Sequence, residues 1–256
     1  MDSFIVQNEV AEALADGSPV VALESTLISH GLPAPHNLQT AQKAETVIRA
    51  GGAVPATIAV IDGQVRVGLS TAELERLADT NNPWKVSRDN LATAIAQNAT
   101  GGTTVAATMF CAHQTRIGIF ATGGIGGVHR GWEESLDISA DLRELARTPV
   151  TVVCSGAKSL LDLPATLEYL ETMGVPVIGL ATHELPAFFS VDSGLVLRQT
   201  VSNVAEAAAI IEKRRALQLD GGEILAVPPP AQAALPQAQV EQWIESAISE
   251  VRSAGL

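Results

Sequence analysis

The segment from Arg116 to Ser159 constrains the fold of this chain more than any other. An apolar run, Ile117-Gly-Ile-Phe120, leads into Ala121-Thr-Gly-Gly-Ile-Gly-Gly-Val-His-Arg-Gly131. Asp137-Ile-Ser-Ala-Asp141 then opens a helical stretch over Ala140–Ala146. A second apolar run, Val150 to Cys154, ends in Ser155-Gly-Ala-Lys158-Ser159. The order is strand, glycine loop, helix, strand and small-residue turn, which is the grammar of a layered α/β protein. Four glycines in five residues leave backbone N–H groups that can approach an anion closely. The competing reading is a tight turn whose glycines serve close packing. His129 and Arg130 inside the loop favour an anion site.

The alternation extends along most of the chain. Pro19-Val-Val-Ala-Leu23 reads as a buried strand. Leu38, Ala41, Ala44, Val47 and Ile48 keep helical spacing, and Gly51-Gly52 stop that helix. Ala56–Ile61 and Val65–Leu69 flank Asp62-Gly63, a hairpin signal that makes the sheet mixed. Ser70-Thr-Ala-Glu73 is a capping box, and further helices are expected from near Asp89 and from Thr104 to Gln114. Beyond Lys158, the pattern gives helix over Pro164–Met173 and strand over Val175–Leu180. Helix over Val204–Leu217 and a short strand over Glu223–Ala226 follow. The Pro-rich stretch 227–236 reads as an irregular connection to a last helix from about Gln239, ending at Ser253-Ala-Gly-Leu256. The expected fold is an α/β/α sandwich on a mixed, largely parallel sheet, formed as a single domain over residues 1–256.

Composition excludes several classes of function. Apolar residues make up 46% of the 256 positions, enough for a sizeable core. The net charge of −12 disfavours nonspecific attraction to nucleic acid or anionic lipid. Aromatics at 4% are too few for a base-stacking platform. No apolar run reaches the roughly 18 residues of a membrane span, and the N-terminus lacks a signal-peptide pattern, so a cytoplasmic location is expected. Cys111 and Cys154 lie in apolar surroundings and read as small buried hydrophobes.

Several residues could carry chemistry. Lys158 follows an apolar strand in a small-residue turn, where desolvation could activate an amine; the alternative is a surface lysine. Glu24 ends the strand Leu23-Glu-Ser-Thr, where α/β sheets place their sites, and could act as a general acid or as a structural carboxylate. Asp137 and Asp141 would share a helix face if both were helical; alternatively, Asp137 caps the helix. Lys85-Val-Ser-Arg88 precedes a helix and reads either as an anion site or as an exposed basic turn. The dinucleotide fingerprint fails, because His129 stands at its third glycine position, and Gly156-Ala-Lys158-Ser159 lacks the P-loop glycines. No zinc-type His/Cys spacing occurs; a hard cation with few protein ligands is compatible.

A series of segments resembles the pseudouridine-5'-phosphate glycosidase family, also described as indigoidine synthase A-like. These are Val21–Gly31, Gly52–Ala59, Lys85–Arg88, Gly102–Met109, Phe120–Gly131, Asp137–Leu142, Val152–Ser159 and Leu185-Pro-Ala-Phe-Phe189. The resemblance implies reversible cleavage of the C–C glycosidic bond of pseudouridine 5'-phosphate to uracil and ribose 5-phosphate. It assigns Lys158 to an imine with C1' of the ring-opened sugar, Glu24 to proton donation and Asp137 to a manganese ion (Mn2+). It assigns Lys85, Val105, Ser139, Ala140 and Asp141 to substrate binding, with Thr122 and His129 lining the site. A homotrimer is implied, with small-molecule substrates and neither nucleic acid nor membrane as a partner. The family pattern continues past Leu256, so its C-terminal segment is expected to be missing; Val191 and Val227 replace an arginine and an asparagine common in the pattern. A Schiff-base aldolase on another sugar phosphate, or a short homologue that only binds one, are the alternatives.

Overall fold

A computed structural model describes residues 3–253, apart from the side chain of Arg252. The expected helix end at Ala254-Gly-Leu256 lies outside the described residues. The chain is α/β, its strands pair largely in parallel, and it divides into two compact units.

The first unit comprises residues 3–122 together with Arg147–Thr151. It begins with β1 (Phe4–Val6), α1 (Asn8–Asp16) and β2 (Val20–Leu23), followed by a π-helical turn, Leu27–Gly31. Next come α2 (His36–Ala50), β3 (Val54–Ile61), β4 (Gln64–Val67) and α3 (Thr71–Asp79). The unit continues through β5 (Trp84–Val86), α4 (Leu91–Ala96), β6 (Gly101–Thr103), α5 (Val105–Gln114) and β7 (Ile119–Ala121). The strand order is β1-β4-β3-β2-β7, with β6 bridging β3 and β5. The expected hairpin joins β3 to β4 antiparallel. Asp62 and Gly63 both have positive φ, at 49° and 74°, as a two-residue hairpin turn of this hand requires. Ser70 and Glu73 form the expected capping box, and Thr104 caps α5.

The unit's centre is β3, buried on both faces. Ala59 and Ile61 pack with Ile28, Ala41, Leu74 and Leu77 on one side. Ile58 and Val60, one residue out of phase, are fully buried on the other. Burial on both faces explains why the strand reads as a continuous apolar run rather than an alternating one.

The second unit comprises Gly123–Ala146 and residues 152–253. Its elements are α6 (Trp132–Ser135), α7 (Ala140–Leu145), β8 (Thr151–Cys154, whose first residue belongs to the first unit), α8 (Leu163–Thr172) and β9 (Val177–Leu180). Then come β10 (Gln199–Val201), α9 (Val204–Ala216), β11 (Glu223–Ala226) and α10 (Gln237–Ser253). The strand order β8-β11-β9-β10 is parallel where the register is defined, between β11 and β9 and between β9 and β10. Ile178, Val201, Ala207 and Leu225 form a small core under α9. Long stretches of the unit are irregular and are held by single bridges, such as Ile125 to Ala157 and Val128 to both Ile138 and Asp162.

Candidate active site

In the first unit, the chemistry gathers at the carboxyl ends of the strands. Glu24 leaves β2 directly and is half-buried. Thr122, just after β7, donates its hydroxyl to Oε1 of Glu24, and Thr26 donates to Oε2. The parallel pairing of β2 with β7, Leu23 opposite Ala121, brings Thr122 to the carboxylate. Thr122 therefore holds Glu24. Thr26 was not anticipated.

Beneath Glu24 lies a closed cluster of hydroxyls. Ser25, Thr103 and Thr108 are completely buried. Ser25 Oγ and Thr103 Oγ1 each donate to the Ile58 carbonyl at 2.6 Å, and Thr103 N–H donates to Ser25 Oγ at 2.9 Å. Thr103 and Thr108 hydroxyls meet at 2.9 Å. Buried polar groups of this kind are stable only when each is satisfied. The cluster fixes the exit of β2 against β6 and the start of α5.

Lys85 lies within β5, opposite Gly102 in β6, so the first half of the basic segment is a strand, while Arg88 lies in the turn that follows it. The strand was not legible because three residues carry too little periodicity to reveal pairing. The Lys85 side chain is exposed, and its charge helps hold the His30 imidazole below its usual pKa, after the larger effect of burial. Arg88 stacks on the Phe110 ring at 3.9 Å. Val105 begins α5 with its side chain buried, so only its backbone amide, at the positive end of the helix, could serve an anion.

In the second unit, the glycine loop is held by its own amides. Ile125 N–H donates to the Gly156 carbonyl, Gly126 N–H to Asp141 Oδ2 at 2.8 Å, Val128 N–H to Thr166 and His129 N–H to the Asp137 carbonyl. Those four donors are not available to an anion. A Cβ on Gly126 would lie 2.2 Å from Ser139 Oγ, and one on Gly127 would lie 2.4 Å from Thr166 Oγ1. Neither residue has a positive φ, so these glycines serve close approach rather than an unusual backbone conformation. At Gly126 and Gly127 the contacts therefore support the competing reading, glycines that serve close packing. Arg130 is likewise engaged, pairing through both guanidinium nitrogens with Glu241 of α10 at 2.5 and 2.8 Å. The pair holds the Glu241 carboxyl below its ordinary pKa.

Asp137 lies outside α7, and Ser139 is the residue that caps that helix. Asp137 and Asp141 therefore do not share a helical face, and the capping reading of Asp137 is also set aside. Asp141 is buried and committed to Gly126; Asp137 is exposed, with Oδ2 at 3.7 Å from His129 Nδ1. Ala140 opens α7 on the exposed side. Among the described residues no group of three His, Cys, Asp or Glu side chains converges as a metal cage. One exposed carboxylate beside an imidazole suits a hydrated hard cation better than a protein-enclosed zinc.

Lys158 follows β8 in a turn whose neighbours Ala157 and Ser159 are buried, while the lysine itself is partly exposed. Its N–H donates to the Ile125 carbonyl, which ties the lysine turn to the glycine loop. Cys154, four residues earlier, is a free thiol pushed up to about 12 by burial. No helix among the described residues is long and apolar enough to cross a membrane.

Comparison with known proteins places these features in a family. The family model for indigoidine synthase A-like proteins matches residues 9–256. The pseudouridine-5'-phosphate glycosidase of Glaesserella parasuis is 52% identical over 99% of this chain and 84% of its own length. The glycosidase of the same name from Paracoccus denitrificans is 54% identical over 97% of the chain and 82% of its length. Among solved structures, a prealnumycin C-glycosynthase in complex with ribulose 5-phosphate matches with a TM-score of 0.93 at 39% identity, covering 100% of this chain and 83% of the other. An indigoidine synthase A-like protein from Thermotoga maritima matches with a TM-score of 0.87 at 33% identity, covering 94% of this chain and 79% of the other. With a matched model over nearly its whole length and relatives more than half identical, this chain belongs to the indigoidine synthase A-like family of enzymes.

Proposed function

We propose that this chain is a pseudouridine-5'-phosphate glycosidase, an enzyme that cleaves the C–C glycosidic bond of a sugar phosphate reversibly. The observation that carries the reading is identity above one half, over nearly the whole chain, to relatives that bear this name. The structural neighbour that holds ribulose 5-phosphate supports a five-carbon sugar phosphate as one reactant.

The residue types suit the chemistry. A carbon leaving group cannot depart by protonation of a glycosidic oxygen, as in ordinary glycosides. In our reading, in the synthetic direction the Lys158 amine condenses with C1' of the opened sugar and the resulting iminium accepts electrons there. In the cleavage direction the Lys158 amine displaces the ring oxygen from C1', its proton passing to O4', which leaves as the 4'-hydroxyl. The C1'–C5 bond then breaks with its electron pair moving to uracil as the lysine nitrogen becomes the iminium at C1'. Glu24 supplies the proton to uracil C5, and water releases the sugar from Lys158 as the aldehyde. Thr26 and Thr122 orient the Glu24 carboxyl through both of its oxygens. Lys85 and the first amide of α5 bind anionic oxygens of the substrate, while Ser139, Ala140 and Asp141 shape the start of α7. A manganese ion fits Asp137, with His129 beside it and water completing its shell; it would supply positive charge toward an anionic substrate. A cytoplasmic homotrimer completes the proposal, and light scattering on the eluted protein tests the assembly.

The direct test mixes uracil, ribose 5-phosphate and manganese with the protein and looks for pseudouridine 5'-phosphate. Formation of the C-nucleotide, lost in Lys158→Ala, is the expected result. A borohydride-trapped adduct on Lys158 without any C-nucleotide would instead point to a different carbon acceptor.

A further inference from the structure

The segment over residues 185–190 belongs to no helix or strand and has no part in the chemistry above. It nevertheless makes a series of contacts with the residues around Lys158. Ser159 Oγ donates to the Ala187 carbonyl at 2.6 Å, and Phe188 N–H donates to the Ser155 carbonyl at 2.9 Å. Gly156, at φ 80°, lies under the Pro186 carbonyl so closely that a Cβ there would be 2.1 Å from the oxygen. The segment is closed on itself by Ala187 N–H donating to the Ser190 carbonyl at 3.1 Å, and Leu235 N–H donates to the Phe189 carbonyl at 2.8 Å.

Phe188 is the unusual member. Its φ is 62°, a conformation that costs a bulky residue energy and that glycine would adopt freely. Such strain persists only where the surroundings over-determine it. Here the ring covers Gly123 and Gly124. A Cβ on Gly124 would lie 2.5 Å from Phe188 Cδ2, and one on Gly123 would lie 3.3 Å from Cε2. Phe189 meets the ring edge-on, with centroids 4.5 Å apart. One residue therefore touches the lysine turn through its amide and the glycine loop through its ring. Those same two segments are joined directly by Lys158 N–H to the Ile125 carbonyl.

We propose that Phe188 is a positioning residue for Lys158: the strap over residues 185–190 sets the gap between lysine turn and glycine loop, and so aims the amine at the sugar carbonyl. The inference rests on Lys158 as the imine-forming residue. It predicts an effect on the rate of imine formation rather than on sugar-phosphate affinity, because a misaimed nucleophile slows bond formation while leaving binding contacts intact.

The test is a time course of borohydride trapping with ribose 5-phosphate, read by mass spectrometry of the Lys158 peptide, beside kcat and KM for pseudouridine 5'-phosphate. Phe188→Ala should lower the trapping rate constant about tenfold or more, lower kcat in parallel and leave KM within about twofold. Phe188→Tyr should restore the rate. A purely structural defect would reduce the trapped amplitude at an unchanged rate constant, and that result overturns the proposal. If Phe188→Ala does not fold, Phe188→Leu keeps the bulk and loses the flat ring; it should slow trapping a few-fold, and a wild-type rate overturns the proposal. Normal trapping in wild type with unaffected Phe188 variants removes the strap's role and leaves Lys158 as the imine former. Absence of any adduct in wild type removes both.

Discussion

The two units hold their chemical groups in different ways. Glu24 stands at the end of a regular strand, over a buried cluster of hydroxyls fed by the ladders of β2, β3 and β6. Lys158 stands in irregular chain, fixed by glycines without room for a Cβ, by single bridges and by a strained phenylalanine. In the first case position is inherited from repetitive hydrogen bonding, and many bonds share the task. In the second it depends on a few close contacts, each of which excludes a methyl group. The difference implies that the lysine side tolerates sequence change less well.

The largest effect expected from this contrast is at Gly156. Gly156→Ala places a Cβ against the Pro186 carbonyl and forces L-residue strain at φ 80°. It should destabilise the fold by roughly 3 kcal/mol or more, with soluble yield and urea midpoint as the readouts. A wild-type midpoint would show that the lysine turn is loosely held and would dissolve the comparison. Next come Ser25→Ala and Thr103→Val in the first unit. Each should cost about 1–3 kcal/mol by orphaning buried partners, and the double variant should cost less than their sum. Strict additivity in denaturant melts would mean that the hydroxyls do not act as one cluster. The smallest effect is a gain. Ser190 is buried, and its Oγ has no hydrogen-bond partner among the described residues. Ser190→Ala should therefore raise stability by up to about 1 kcal/mol, seen as a small rise in Tm. A loss of stability would mean that the hydroxyl has a role in the strap.

Much of the first unit was legible in the sequence because its signals are local. Asp62-Gly63 and the Ser70–Glu73 box each act over a few residues and appear where expected, as does the helix start near Thr104. The strands β1, β5, β6 and β10 were not foreseen. Each has three residues, and Gly101-Gly102-Thr103 carries no apolar alternation; it is a strand because bare glycine fits against Trp84 and Ser25. The chemical groups were legible as residue types, but their partners were not. Arg130 looked like an anion ligand because Glu241 is 111 positions away. Thr26 and the hydroxyls of Ser25 and Thr103 left a usable sign, the density of Ser and Thr just past apolar strands. The φ of Phe188 left none, since only the folded loop imposes it.

The buried Cys154 has a chemical consequence. Thiolates add readily to aldehydes and would compete with an amine for an opened sugar. With its thiol pushed up to about 12, Cys154 stays protonated at any physiological pH and sealed from solvent. The strand that delivers Lys158 thus carries sulfur that is silent toward sugar carbonyls and cellular oxidants alike. The lysine chemistry proposed above would thus keep a cysteine four residues upstream of Lys158 without acquiring a second, unwanted nucleophile.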